Sequence, residues 1–142
     1  MLIKQLSVFI ENREGRLEKV TETINENNIN IISASLADSS EYGMFRMIVS
    51  EPEKARTVLK EAGFSANLTD VIAVKLSHKV GMLHQLFKVL AEAGISVEYM
   101  YALSSSEIGS MILKVSNSKA ALEVLHKSNF DMLTAEEAYH ID

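Results

Sequence analysis

Phe9-Ile10-Glu11-Asn12-Arg13-Glu14-Gly15-Arg16-Leu17 and Lys75-Leu76-Ser77-His78-Lys79-Val80-Gly81-Met82-Leu83 are one segment written twice, 66 residues apart. Each closes an alternating apolar strand, runs through a polar loop to a glycine, and opens a helix on a leucine. Extending the same offset outward gives fifteen identical pairs between Val8/Val74 and Phe64/Phe130, with no gap. Chance would supply about four over that span, so the halves are a duplication of one small module and not two unrelated folds.

The copies read alike along their length. Leu6, Val8 and Ile10 alternate with Ser7 and Phe9, and Ile72, Val74 and Leu76 repeat the pattern of a half-buried strand. Leu17, Val20 and Ile24 follow at helical spacing, as do Leu83, Leu86 and Leu90. Asn27-Asn28 and Ala93-Gly94 are helix stops, and a second strand starts near Ile29 or Ile95. Turns at 39–43 and 105–109 join it to a third strand, whose Phe45, Met47 and Val49, or Met111, Leu113 and Val115, share one face. Ser50 reads as the N-cap of the next helix, with Glu53 completing a capping box and Pro52 in the first turn. Ala55, Val58, Leu59 and Ala62 form its apolar stripe, Gly63 ends it, and a short fourth strand follows Phe64. The order βαββαβ, twice, predicts an α+β protein of two tandem ferredoxin-like modules, residues 1–68 and 69–142. Each has an antiparallel four-stranded sheet with both helices on one face.

The bare sheet face is then wet or covered. Phe9, Ile32, Ala34, Met44 and Ile48 are expected there in the first copy, with Met100, Ala102 and Ile112 in the second. Arg46, Lys75, Glu98 and Lys114 interrupt them. So mixed a face, on modules this small, points to pairing of the copies, to a homodimer or to both. Scattered exposed apolar residues are the plainer reading.

Composition removes several classes. Hydrophobic residues at 47% and charged ones at 23% give the balance of a soluble globular protein. No apolar run spans a bilayer and no signal peptide precedes the first strand, so neither membrane nor secretion is expected and a cytoplasmic location is. The absence of cysteine excludes thiolate metal sites and Cys nucleophiles. A net charge of −5 argues against nucleic acid, which demands a basic surface. His78, His84, His126 and His140 share no metal spacing with carboxylates. No phosphate-binding glycine motif or nucleophile elbow occurs. No cofactor, metal or catalytic residue is assigned, and the chain is not read as an enzyme.

The two glycine loops, together with Asn28-Ile29-Asn30-Ile31 and Gly94-Ile95-Ser96-Val97 at the helix exits and the segment Asn129–Tyr139, resemble the ACT domains of amino-acid-binding regulatory proteins. The resemblance covers nearly the whole chain. It implies a site for a free amino acid around Asn12, Arg13, Glu14, Gly15, Arg16 and Leu17, and another around His78, Lys79, Val80, Gly81, Met82 and Leu83. In the serine-sensing ACT domains of phosphoglycerate dehydrogenases, the positions matching Asn12 and Asn30 bind ligand across an interface between modules paired through strand two. The histidine those domains also use is replaced by Ile10 and Leu76, which argues against serine itself. Asn12 and Asn30 belong to opposite ends of one module, so each site draws on two modules. One site joins the first loop to Ser96 and Val97, the other joins the second loop to Asn30 and Ile31.

The chemistry of the loops agrees with this. A helix start offers N–H groups and a positive dipole end to a carboxylate. Asparagine amides donate and accept, the His78 ring can hydrogen-bond a polar group of the ligand, and Arg16 can pair with a carboxylate. The alternative is that Gly15 and Gly81 only permit a turn and the side chains are solvated. Three functions follow in order: a regulatory protein that senses an amino acid and signals to a separate metabolic enzyme, a subunit that docks on a larger enzyme without binding ligand, and a small enzyme on this fold.

Overall fold

A computed structural model describes residues 2–11, 13–38, 41–77, 79–103 and 109–140. Its elements are β1 (Ile3–Glu11), α1 (Arg16–Glu26), β2 (Ile31–Asp38), β3 (Tyr42–Val49), α2 (Pro52–Glu61), β4 (Ser65–Lys75), α3 (Met82–Glu92), β5 (Val97–Leu103), β6 (Ser110–Val115), α4 (Ser118–Lys127) and α5 (Ala135–Tyr139). The chain forms two compact units, one of Lys4–Thr69 and one of Met1–Ile3 with Asp70–Asp142. No linker separates them, because β4 runs through the boundary. Ala66 and Leu68 near its start pack in the first core, whereas Ile72 and Val74 near its end pack in the second.

In the first unit β1 pairs antiparallel with β3, and so does β2, which leaves β1 and β2 parallel with α1 as their crossover. The second unit repeats this with β4, β6 and β5 around α3. In each unit the two long helices pack on each other, α1 on α2 and α3 on α4. Leu6, Val8, Val20, Ile24, Met47 and Leu59 are fully buried in the first core; Ile72, Val74, Leu86, Leu113 and Leu125 are in the second. Each such side chain contributes about 1.5–3 kcal/mol relative to leaving it in water. This is the tandem ferredoxin-like architecture.

Helix ends repeat as faithfully as helix faces. Asn28, Gly63, Gly94 and Asn129 all have positive φ just beyond a helix. Each is followed by an N–H that reaches back to a core residue: Ile29 to Ile24 (3.2 Å), Phe64 to Leu59 (2.9 Å), Ile95 to Leu90 (2.9 Å) and Phe130 to Leu125 (2.9 Å). All eight of those side chains are buried, so each stop also fixes the direction of the next strand.

Three local expectations change. First, the register of β2 against β3 shifts between Ile31 and Ser33, and that of β5 against β6 between Val97 and Tyr99. The extra residue turns every later side chain to the other face. Ala34 therefore pairs with Met47 on the helix side, and Met100 and Ala102 pair with Leu113 and Met111 there. The bare face instead receives Ser33 and Ser35 in the first unit. In the second it receives Tyr99, Tyr101 and Leu103, together with the fully buried Ile112.

Second, Ser50 does not cap α2. The N-cap is Glu51, with no side-chain cap and Pro52 at the helix start. The Ser50 hydroxyl accepts from the Asn30 N–H at 2.9 Å, while the Ser50 N–H donates to the Asn30 carbonyl at 2.9 Å. Ser116 and Ser96 make the same pair at 3.0 and 2.9 Å.

Third, the last strand of the second unit shrinks to a bridge between Val74 and Met132, flanked by bonds from Lys75 N–H to Asp131 and from Leu133 N–H to Ala73. It stops because Thr134 caps α5 in a reciprocal box with Glu137 (3.1 and 3.2 Å). Lys75, on the bare face, reaches Glu137 at 3.9 Å, and Ala138 is fully buried.

The Thr134 backbone N–H, then its hydroxyl, then Lys75 hold the Glu137 carboxyl below its ordinary range. A lowered folded value means that the cap is complete above the ordinary glutamate range and is lost as pH falls through the folded value. Replacing Thr134 by Ala should raise the Glu137 titration midpoint, followed by carboxyl NMR shifts, and should speed exchange of the Glu137 amide, which loses its hydroxyl acceptor, at neutral pH.

Candidate functional site

The turn from β1 to α1 is tight. Arg13 N–H bonds the Glu11 carbonyl at 2.9 Å, and Gly15 stands at the helix N-cap with φ 83°. The first N–H of α1 to find an acceptor four residues back is that of Lys19, which bonds Gly15 at 3.1 Å. A glycine cap has no side chain, so the N–H groups of Leu17 and Glu18 have no side-chain cap. The second unit is built alike, with Gly81 at φ 90° and Gln85 N–H on the Gly81 carbonyl at 2.9 Å.

In front of the α1 start lies an open cleft of about 340 Å³ lined by Ile10, Glu11, Arg13, Glu14, Gly15, Leu17, Leu36 and Gly43. Its rim is charged: Glu11 and Arg13 pair at 3.3 Å, and Glu14 is exposed beside them. Its walls are apolar. Leu17 and Leu36 keep 36% and 51% of their surface in water, so the walls offer apolar surface to whatever enters. Gly43 keeps the two walls apart from any filler, since a Cβ there would stand 3.3 Å from Leu36 Cδ1 and 3.5 Å from Ile10 Cγ1.

Of the residues expected in the first site, Arg13, Glu14, Gly15 and Leu17 meet at this cleft, and Asn12 lies outside the described residues. Arg16 turns away. Its guanidinium sits 4.6 Å over the Phe64 ring, and its buried Nε has no hydrogen-bond partner. Met82 occupies the matching position in the second unit and packs against the core that holds Phe130, so both side chains serve as packing. Asn30 and Ile31 are at the far end of the unit, because Ile31 pairs with Val49 while Glu11 pairs with Tyr42. Asn30 is fastened there by Ser50, and Ile31 packs on the core. In the second unit, Lys79, Val80, Gly81 and Leu83 are exposed around the α3 start, Val80 completely. His78 lies outside the described residues, and Ser96 and Val97 sit at the opposite end of their sheet.

Sequence reasoning missed Glu11, Leu36 and Gly43 as site residues, and it treated Ile10 only as a replaced histidine. Gly43/Gly109 is one of the fifteen identical pairs, and a glycine inside a strand often marks a bulge or a close approach. Leu36 carried no local signal, because its face depends on the bulge before it.

A family model for an ACT domain pair matches residues 1–141. The chain belongs to this family. No curated protein matches this chain. Among solved structures, a protein from Bacteroides thetaiotaomicron is 35% identical, with a TM-score of 0.94 over 99% of this chain and 98% of that one. The ligand-free regulatory subunit of aspartate kinase from Thermus thermophilus is 19% identical, with a TM-score of 0.64 over 90% and 94%. A structure of aspartokinase alpha and beta subunits is 20% identical, with a TM-score of 0.57 over 87% and 91%. These last two likenesses are of fold. Family membership together with that fold supports a regulatory role. Among the described residues no helix is long and apolar enough to cross a membrane, and no cluster of three metal-ligating side chains occurs.

Because no atom lies within 4 Å of a Cβ built on Gly15 or Gly81, alanine there meets only backbone strain. Gly15→Ala and Gly81→Ala should each cost about 1 kcal/mol, read as a lower urea midpoint, without loss of helix content by circular dichroism.

Proposed function

We propose that this ACT domain pair senses a free amino acid at the β1–α1 loop and passes the signal to a separate metabolic enzyme, doing no chemistry itself. The observation that carries this reading is the cleft at Ile10–Leu17. It combines an uncapped helix start, suited to a carboxylate, with the Glu14 carboxylate, suited to an ammonium, beside the Glu11–Arg13 pair. A zwitterion satisfies both with charges a few ångströms apart.

The signal would be a shift in how modules pair. Among the described residues of its unit, β2 pairs only with β3, and β5 only with β6. Such edges invite a strand from a second copy, and a homodimer joined there would bring the Asn30 or Ser96 end of one module to the loop of another. A ligand that binds one pairing better than another moves the equilibrium by its differential affinity. The second reading, a subunit that docks on a larger enzyme without ligand, rests on the same fold in an aspartate kinase regulatory subunit.

A thermal-shift panel of the twenty amino acids separates the two. A ligand at a hundred times its dissociation constant adds about 2.7 kcal/mol of stability. We expect at least one amino acid to raise the midpoint, and the rise to be lost in Gly43→Leu, which fills the cleft. No shift with any of the twenty leaves only the docking reading.

A further inference from the structure

The walls of the cleft say which amino acids fit, and this step rests on the sensing role proposed above. We infer that the ligand is an α-amino acid with an uncharged aliphatic side chain, held against Ile10, Leu17 and Leu36.

Among the described residues few large apolar side chains stand more than a third exposed, and two of them, Leu17 and Leu36, line this one cleft. Ile10 adds a third apolar wall from the last turn of β1, and Gly43 contributes no side chain. Behind the charged rim the lining side chains are Ile10, Leu17 and Leu36, so an aliphatic ligand side chain would be covered by carbon there, whereas a polar one would lose water against the same surface. The charges at the rim are two carboxylates and one guanidinium, and the guanidinium is already engaged by Glu11 at 3.3 Å. An acidic ligand side chain would meet an excess of negative charge. The ligand's ammonium takes up the carboxylate that remains, Glu14, which leaves no counter-charge for a second cation such as that of lysine.

The second loop differs in a telling way. Leu83 repeats Leu17 and is 44% exposed, but Val80 stands where Glu14 does, and Ser77 where Glu11 does. That loop keeps an apolar wall and lacks both carboxylates. The first loop is therefore the one equipped for the ammonium group.

Burying each methylene is worth about fourfold in affinity, so leucine should bind about fiftyfold tighter than alanine. Valine and threonine have the same shape and differ by one methyl for one hydroxyl, and valine should bind on the order of tens of times tighter. The test is isothermal titration of the full chain with L-leucine, L-valine, L-threonine, L-alanine, L-serine and 4-methylpentanoate, which lacks the ammonium. The expected result is leucine and valine ahead of the rest, with 4-methylpentanoate much weaker than leucine. In Leu36→Ser, a half-exposed position, the leucine-to-alanine ratio should fall about tenfold while the fold is unchanged by circular dichroism. Threonine or serine equal to or tighter than valine overturns the aliphatic assignment and leaves the sensing role intact. Binding by 4-methylpentanoate as tight as by leucine also overturns it. No binding by any of the amino acids overturns both.

Discussion

A strand that passes its chain to a helix within a few residues must reverse direction inside one or two peptide units. Here Gly15 does this with φ 83°, a backbone state that costs other residues about 1–2 kcal/mol. The same residue is the N-cap of α1. A cap that must be glycine cannot also be serine or aspartate, so the helix begins without the side chain that would ordinarily satisfy its first N–H groups. The conformational demand of the turn thus leaves polar backbone at the mouth of a cleft. Gly81 at φ 90° repeats the arrangement in the second unit. What distinguishes the two loops is not their backbone but the side chains arranged around it.

Those side chains come from several elements. Glu11 comes from the end of β1, Arg13 and Glu14 from the loop, Leu17 from the helix, and Leu36 and Gly43 from β2 and β3. The parallel pair β1 and β2, separated by β3, sends Asn30 and Ile31 to the other end of the unit. Under the proposed sensing role, a second module paired at the edge of β2 or β5 would supply what the loop end of the unit lacks, and a shift between paired states would be the signal.

Rigidity at the ends of the elements matters as much as the cleft itself. Each of the four long helices closes on a positive-φ residue, and the N–H of the residue after it returns to the backbone carbonyl of a buried core residue. The Ser50–Asn30 and Ser116–Ser96 double bonds then tie the start of each second strand to the end of the third. Both serines are one identical pair of the repeat. Their hydroxyls cap a strand start instead of the next helix: α2 starts from Glu51 without a side-chain cap, and α4 is capped by Asn117.

The order of elements, the two cores and the glycine loops followed from sequence alone, because each depends on neighbours a few residues away: the periodicity of Leu17, Val20 and Ile24, the alternation of Leu6, Val8 and Ile10, and the duplication itself. Tertiary structure decided what depends on partners distant in the chain. The bulges after Ile31 and Val97 reverse the faces of Ala34, Met100 and Ala102, and one extra residue against a partner strand is invisible in a single strand's pattern. Arg16 was legible as a cation but not as a lid on Phe64, and Leu36 as apolar but not as a cleft wall. β4 reads as the end of one module and the start of the next, and only packing shows that a single unbroken strand does both, because burying Ala66 in one core and Ile72 in the other leaves no room for a linker.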